Sequence, residues 1–412
     1  MGLEALTKLR FTDMKIKGYS LMIQSIIEIN IYESLTKEGI TGNIVLADWQ
    51  GLRELGHIFA GDEITMVFKS EDREDLTLKF KIYATKDNRQ LSSQTYNTTN
   101  FMFCSPWLID GFGRQLSKPY KDKYIHEIVK DLLEDCGAEI GIIEETKQKL
   151  ENFVTPLWTP VHSIRYLLNH ALNKDNKGGY VLWTDLKSGK VNMKTLDTIF
   201  KGSEGTTPKF LEMPANKQYE GAVKDATYEQ SWDIIQYLHI GMNKIRNYSL
   251  WFDKKEIIET KDNIKEMSYK HIALKFPVAQ KYLDDKKYWV NYYQCLYPKK
   301  ADAITSKEEV EDFVKGEQYS RYAYLMTDIT KINFQTVGQS DRRVGMMAEL
   351  SLQSQNQPDT QTGNLQVNGN YIVRDIRHHI SSPNNAQYDQ YVTLINDGYY
   401  KFDNTGDELV KW

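Results

Sequence analysis

Alternating apolar and polar positions dominate the first hundred residues. Met22–Tyr32 is rich in β-branched residues with partial alternation, and Asn43–Asp48, Ile64–Phe68 and Leu76–Tyr83 follow, the last with clean period two. Phe101–Cys104 closes the set. Short strands at this spacing, punctuated by Gly and Asp-Asn, predict a small barrel or sandwich over residues 1–112. The period then changes. Ile125, Ile128, Val129, Leu132, Leu133 and Cys136 recur as one helical stripe, with Gly137 placed to terminate it. Thr159-Pro160 reads as a cap followed by proline in the first helical position, with Ile164, Leu167, Leu168, Ala171 and Leu172 as the buried face. Gly179–Thr184 and Val191–Lys194 flank Ser188-Gly189 as a hairpin. Residues 113–215 are therefore expected to form a small α+β domain.

Strands return beyond residue 216, notably Lys244–Phe252. A charged, Tyr-rich stretch at 253–317 interrupts them and is read as an insert. It contains a capping box, Ser306 with Glu309, before a short helix through Val310 and Phe313. A further helix at about 318–328 leads into strands Ile332–Val337, Met346–Leu352, Tyr371–Ile380 and Tyr391–Ile395. Segments 216–252 and 318–400 together are expected to make a second β-block, with a polar tail at 401–412 expected to dock on a partner chain. The fold class is α+β, mainly β.

The two β-rich regions share an order. Gly61–Ser70 lies beside Gly345–Ser354, each with a turn glycine, then alternation, then Ser. A strand reaching Ile82 or Ile376, a polar loop, a tyrosine (Tyr96, Tyr388) and a final strand follow in each. Two copies of one β-domain account for this. Unrelated antiparallel hairpins would also look alike, and superposition of the two regions decides between these readings.

Composition narrows the function. The 412 residues carry 26% charged and 41% hydrophobic residues, which is globular rather than disordered, and their number implies several domains. A formal net charge of −4 argues against bulk nucleic-acid binding, which needs a basic face. Cys104, Cys136 and Cys295 are odd in number and far apart, so a disulfide framework is not expected and synthesis in a reducing compartment is. The opening MGLEALTKLRF has no apolar core or small-residue cleavage site, so no secretory signal is expected. No window approaches the length of a membrane-spanning helix. The Asn97 and Asn247 glycosylation patterns then carry no meaning. The 26 tyrosines and 8 tryptophans suit either rings at subunit contacts or half-buried strand positions.

No enzyme motif completes itself. His126-Glu127 opens like a zinc-protease helix, but Lys130 stands where the second histidine belongs. Gly189-Lys190 lacks the earlier P-loop glycine (Thr184) and the hydroxyl that would follow (Val191). Gly111-Phe112-Gly113 has Leu116 in place of the third dinucleotide-binding glycine. There is no G-x-S-x-G elbow, and Asp175–Gly178 has Lys177 where a calcium loop needs oxygen. His378 and His379, adjacent on a strand, should point to opposite faces and so not share one ion. Glu144-Glu145 and Glu308-Glu309 read as solvent-facing. No catalytic residue, cofactor or metal is expected.

Gly42–Trp49 followed by Gly61–Ile64 is similar to the first barrel of baseplate hub proteins from contractile-tailed bacteriophages. Phe103-Cys104-Ser105, Leu116–Tyr120 and the helix through Ile128–Leu133 resemble that family's link into its second domain. Gly369–Ile380, with Tyr391 and Leu394, resembles the closing strands of its second barrel. The resemblance spans most of residues 20–400 but not the insert or the tail. It implies two tail-tube-like antiparallel β-barrels per chain and a homotrimer presenting six similar barrels in a ring. It also implies a structural role between a sixfold tail tube and a threefold spike, with spike, tube or tube-initiator and other baseplate proteins as partners. The location would be the virion tail, after synthesis in the host cytoplasm. A tail-associated lysozyme- or peptidase-like enzyme, and the hub of a bacterial injection machine, are the alternatives.

Overall fold

A computed structural model describes residues 9–48, 56–70, 76–88, 97–202, 207–212, 221–230, 235, 245–251, 255–262, 287, 290–296, 307–352, 367–381 and 387–396. Tyr96, the cap residue Ser306, much of the 253–317 insert and the 401–412 tail lie outside the described residues.

The first block comprises β1 (Leu9–Ile16), β2 (Tyr19–Ser20), β3 (Ile26–Ser34), β4 (Thr41–Asp48), β5 (Glu63–Ser70), β6 (Leu76–Asn88) and β7 (Asn97–Cys104). Met22–Tyr32, expected as one strand, begins instead with a 3-10 turn at Ile23–Ser25, where the Ser25 hydroxyl and amide both return to the Met22 carbonyl. Met14, Ile16, Ile29, Ile31, Ile44, Met66, Phe68, Phe80, Ile82, Phe101 and Phe103 all belong to one buried cluster. Alternate residues of six strands can share one core only if the sheet curls around it. Phe80 and Phe103 lie 4.6 Å apart between ring centres within it, with their planes tilted by 37°. Each such fully buried apolar side chain contributes about 1.5–3 kcal/mol relative to exposure.

A middle unit follows: α1 (Pro106–Gly113), β8 (Pro119–Tyr124), α2 (Ile125–Asp135), β9 (Ile140–Ile143), β10 (Lys149–Val154), α3 (Pro160–Asn169), β11 (Tyr180–Thr184), β12 (Val191–Thr195) and α4 (Leu196–Lys201). The expected stripe of α2 is buried, and Gly137, at φ +73°, ends the helix. Its amide donates to Glu134 O and the Ala138 amide to Leu133 O, so the last carbonyls are satisfied. Glu127 accepts the Tyr124 amide at 2.8 Å at the other end. The Thr159 hydroxyl caps α3 by accepting from the His162 amide, with Pro160 in the first turn. β11 and β12 form the expected antiparallel hairpin, and β9 joins β12 in parallel.

The remaining elements are β13 (Lys209–Leu211), β14 (Lys224–Gln230), β15 (Ile245–Trp251), β16 (Glu256–Asp262), β17 (Val290–Leu296), α5 (Lys307–Ile329), β18 (Thr330–Val337), β19 (Met347–Ser351), β20 (Gly369–Ser381) and β21 (Gln387–Asn396). β15, expected in the second β-block, pairs instead with β16 and β17 in a separate three-stranded sheet. β13, expected in the middle unit, pairs with β19 in the large sheet. Alternation marks a strand but does not select its neighbour. The two helices expected around residue 317 are one, α5.

Gly316 explains why that helix is continuous across a glycine. A Cβ there would lie 2.2 Å from the His170 carbonyl oxygen. The glycine is a contact point between helices, not a break. Intrinsic helix propensity alone would make Gly316→Ala stabilising by about 1 kcal/mol. The close approach predicts the reverse, a loss of about 1–3 kcal/mol, read as a lower urea midpoint.

Candidate assembly interface

The strands of both β-blocks belong to one 13-stranded sheet with the order β14-β18-β21-β20-β3-β4-β7-β6-β5-β1-β2, from which β19 and β13 extend beside β20. The blocks meet where β20 pairs antiparallel with β3, from Asp375 opposite Ser34 to Ser381 opposite Glu28. The 13-residue β20 serves two neighbours in turn along one edge. Its first residues pair with β19, and its second half pairs with β3.

The two blocks repeat the same strand order, β3-β4-β7-β6-β5 and β14-β18-β21-β20-β19. They also repeat a bulge. Tyr83 is the extra residue between Ile82 and Ala84 opposite Phe103 and Met102, and Arg374 is extra between Val373 and Asp375 opposite Leu394 and Thr393. Gly61 and Gly345, aligned from the sequence, occupy the same place, at φ +100° and +81°. The Gly61 amide donates to Ile82 O at 2.7 Å and the Gly345 amide to Val373 O at 2.8 Å. The Ile82 amide donates to Asp62 O, and the Val373 amide to Met346 O, both at 2.9 Å. The residue matching Ile82 is therefore Val373, not the expected Ile376. A side chain at either glycine would force a left-handed backbone that L-residues resist.

The junction carries a buried polar chain. Glu33, 1% exposed, accepts the Leu186 amide at 2.9 Å and faces His378 Nε2 at 3.3 Å. His378 Nδ1 lies 2.8 Å from the Tyr388 hydroxyl, and the Gln390 amide donates to that hydroxyl at 3.1 Å. Arg342 Nη1 donates to Gln390 Oε1 at 3.0 Å and to Val337 O at 2.6 Å. With a carboxylate on one side, His378 donates from Nε2 and accepts the Tyr388 proton at Nδ1. Burial raises the Tyr388 pKa, which keeps that donor protonated. On the opposite face Asn30 Oδ1 accepts from Arg377 Nε at 3.0 Å and contacts His379 Nδ1 at 2.8 Å. His378 and His379 thus point to opposite faces, as strand alternation requires. The Ser34 hydroxyl donates to Asp375 at 2.5 Å. No sequence motif announced this network, because its members are up to 349 positions apart.

The other screened residues have structural roles. Glu144 differs from expectation: it is half-buried and accepts the Thr195 amide at 2.6 Å, Thr198 Oγ1 at 2.9 Å and Asn173 Nδ2 at 3.0 Å, anchoring the start of α4. Its neighbour Glu145 is exposed and paired with Lys174. His126 Nδ1 accepts the Thr146 amide at 3.0 Å, and Gly189-Lys190 closes the β11–β12 turn. Asn173 Oδ1 accepts the amides of Asp175 and Lys177, and Gly111-Phe112-Gly113 ends α1. Cys104 and Cys136 are free buried thiols, each pushed up to about 11 by burial and so poorly reactive. Glu308 and Glu309 border a cleft of about 300 Å³ between the middle unit and α5. There His170 stacks on Phe313 at 3.6 Å and Lys147 pairs with Asp312 at 2.7 Å. Among the described residues no group of three or more His, Cys, Asp or Glu is placed to hold a metal, and no helix is long and apolar enough to cross a membrane. Of the tyrosines, Tyr371 and Tyr388 are core, whereas Tyr32, Tyr83 and Tyr391 are exposed on the large sheet.

No protein-family model and no curated protein matches the sequence. Solved structures do. A 43 kDa tail protein of prophage MuSo2 from Shewanella oneidensis superposes with a TM-score of 0.56 at 9% identity, covering 93% of this chain and 97% of that one. A tail protein from Neisseria meningitidis gives 0.57 at 9% identity, covering 94% and 96%. A type VI secretion system component of E. coli, described as structurally similar to bacteriophage T4 tail proteins, gives 0.50 at 11% identity, covering 95% and 79%.

Two outcomes test the packing described above. Glu33→Ala should cost about 3 kcal/mol by leaving the Leu186 amide and His378 without their acceptor, with faster hydrogen exchange concentrated in β3 and β20. His170, held at about 4 by burial, takes up a proton on unfolding at any pH between there and 6.5. Stability should therefore fall as pH drops from 6.5 towards 4, by up to about 3 kcal/mol, and a His170→Asn variant should lose that part of the slope in urea titrations.

Size, topology and near-complete mutual coverage agree, and the chain has the fold of phage tail proteins, in the two-block form that its sequence resemblance to baseplate hubs implied.

Proposed function

We propose that the chain is a structural hub subunit of a contractile-tail baseplate, working as a homotrimer. Six β-blocks, two from each chain, would form a pseudo-sixfold ring that joins a sixfold tail tube to a threefold central spike. The observation that supports this most is the repeat itself. Two blocks with the same strand order, bulge and turn glycine are joined edge to edge in one sheet. Doubling the block within a chain lets three chains offer six near-equivalent surfaces, which is what a symmetry mismatch demands. The tail-protein fold supports the same reading. Spike, tube or tube-initiator and other baseplate proteins are the partners, and the virion tail is the location, after synthesis in the host cytoplasm.

The role is architectural rather than catalytic. The polar chain at the junction supports this reading, because Glu33, His378, Tyr388, Gln390 and Arg342 are buried and hydrogen-bond to one another or to backbone across the seam. The likeness to a type VI secretion component keeps a bacterial injection machine as the second setting for the same role. The two differ in partners, not in architecture.

Light scattering of the purified protein should give about three times the 48.0 kDa chain mass, and a strictly monomeric particle at high concentration would overturn the reading. Zymography on peptidoglycan should show no clearing. Lysis would favour a tail-associated cell-wall enzyme instead.

A further inference from the structure

The internal junction supplies a template for contacts between chains. Within the chain the second half of β20, beyond its bulge, is paired on both sides, by β21 and by β3. Its counterpart in the first block is the second half of β6, residues 84–88. That segment pairs with β7 on one side and, among the described residues, with no strand on the other. β14 is the counterpart of β3. Among the described residues it pairs with β18 alone and ends the sheet. The chain thus has the two halves of one more junction, at opposite ends of the repeat.

Burial points the same way. The centre of β3 is buried on both faces, with Ile29, Asn30 and Ile31 at 0%, 2% and 2% exposure, whereas Lys224–Glu229 of β14 are exposed throughout. A strand open along one edge invites pairing unless that edge is covered.

The matched registers say which residues would meet. The bulge aligns Asp375 with Ala84, hence Arg377 with Lys86. Tyr32 lies opposite Thr41 and Thr41 opposite Cys104, while Glu229 lies opposite Lys331 and Lys331 opposite Ile395. Cys104 and Ile395 are equivalent, one residue beyond Phe103 and Leu394 at the bulge, so Tyr32 matches Glu229. Inside the chain Arg377 faces Tyr32. Carried over to two chains, Lys86 faces Glu229.

We infer that β6 of one copy pairs antiparallel with β14 of the next, in the register of the β20–β3 junction, with Lys86 opposite Glu229 of the neighbouring copy. Asn88 then meets Thr227 and Thr85 meets Gln230. Opposite charges directly across an antiparallel pair favour this register, and both side chains are exposed in the single chain. The contact is head-to-tail, so it closes into a ring or grows as a filament according to its rotation. The inference rests on the proposed trimeric hub, which supplies the closure.

Charge reversal and cross-linking test it together. Lys86→Glu and Glu229→Lys should each raise the protein concentration needed for half-assembly by about tenfold, and the double reversal should restore it. In a Lys86→Cys/Glu229→Cys chain, mild oxidation should give linked two- and three-chain bands on denaturing gels. Each single cysteine variant should remain one chain in length. Far-ultraviolet circular dichroism matching the parent shows that every variant is folded. A wild-type protein that never assembles sinks the trimeric reading itself. A wild-type trimer indifferent to both reversals, or a Lys86→Cys variant that links to itself, overturns this register and leaves the trimer standing.

Discussion

Everything in this molecule turns on the edge of a β-sheet. A strand at an edge presents a row of unpaired amides and carbonyls, and a curled sheet of five or six strands has such edges unless it closes on itself. Here the two blocks satisfy each other. The second half of β20 accepts β3 as a neighbour, and 13 strands become one continuous ladder. The bulge at Arg374 allows this. It bends β20 where its neighbour changes, so that one strand contributes first to its own block and then to the next.

The polar chain at this seam gives the pairing a single register. A one-residue slip would turn His378 out of the interior and bring Arg377 or His379 in, leaving the Glu33 carboxylate buried without its imidazole. Antiparallel backbone pairing is tolerant of register, whereas a buried acid is not. The outer face repeats the specificity through Asn30, Arg377 and His379. Apolar cores on either side supply the bulk of the stability, and this thin polar layer selects one arrangement among several that would bury similar area.

The middle unit works differently. Its helices are ended by local signals, Thr159 and Pro160 at one, Gly137 at another, and its core is built from neighbours in sequence. It is tied to the rest at a few points. Trp107 reaches the Thr184 hydroxyl, Thr184 donates to the Glu38 carbonyl, and Gly316 lets α5 approach the end of α3. These ties place the unit against both the first block and the long helix that leads into β18.

The sequence by itself determined the local vocabulary. It pointed to β3 through β7 of the first block but not to β1 or β2, and to the stripe and cap of α2, the proline-led start of α3, and the paired glycines Gly61 and Gly345, because alternation, capping and left-handed turns are properties of a few consecutive residues. Only the tertiary structure decided which strands are neighbours. β15 has the alternation of a large-sheet strand and lies elsewhere, and Gly316 looks like a stop signal and is a contact. Glu144 looks solvated and is an anchor, and Glu33 and His378 meet across 345 positions with no mark in either neighbourhood. Hydrogen-bond partners and burial are set by atoms distant along the chain, and no short window of residues contains them.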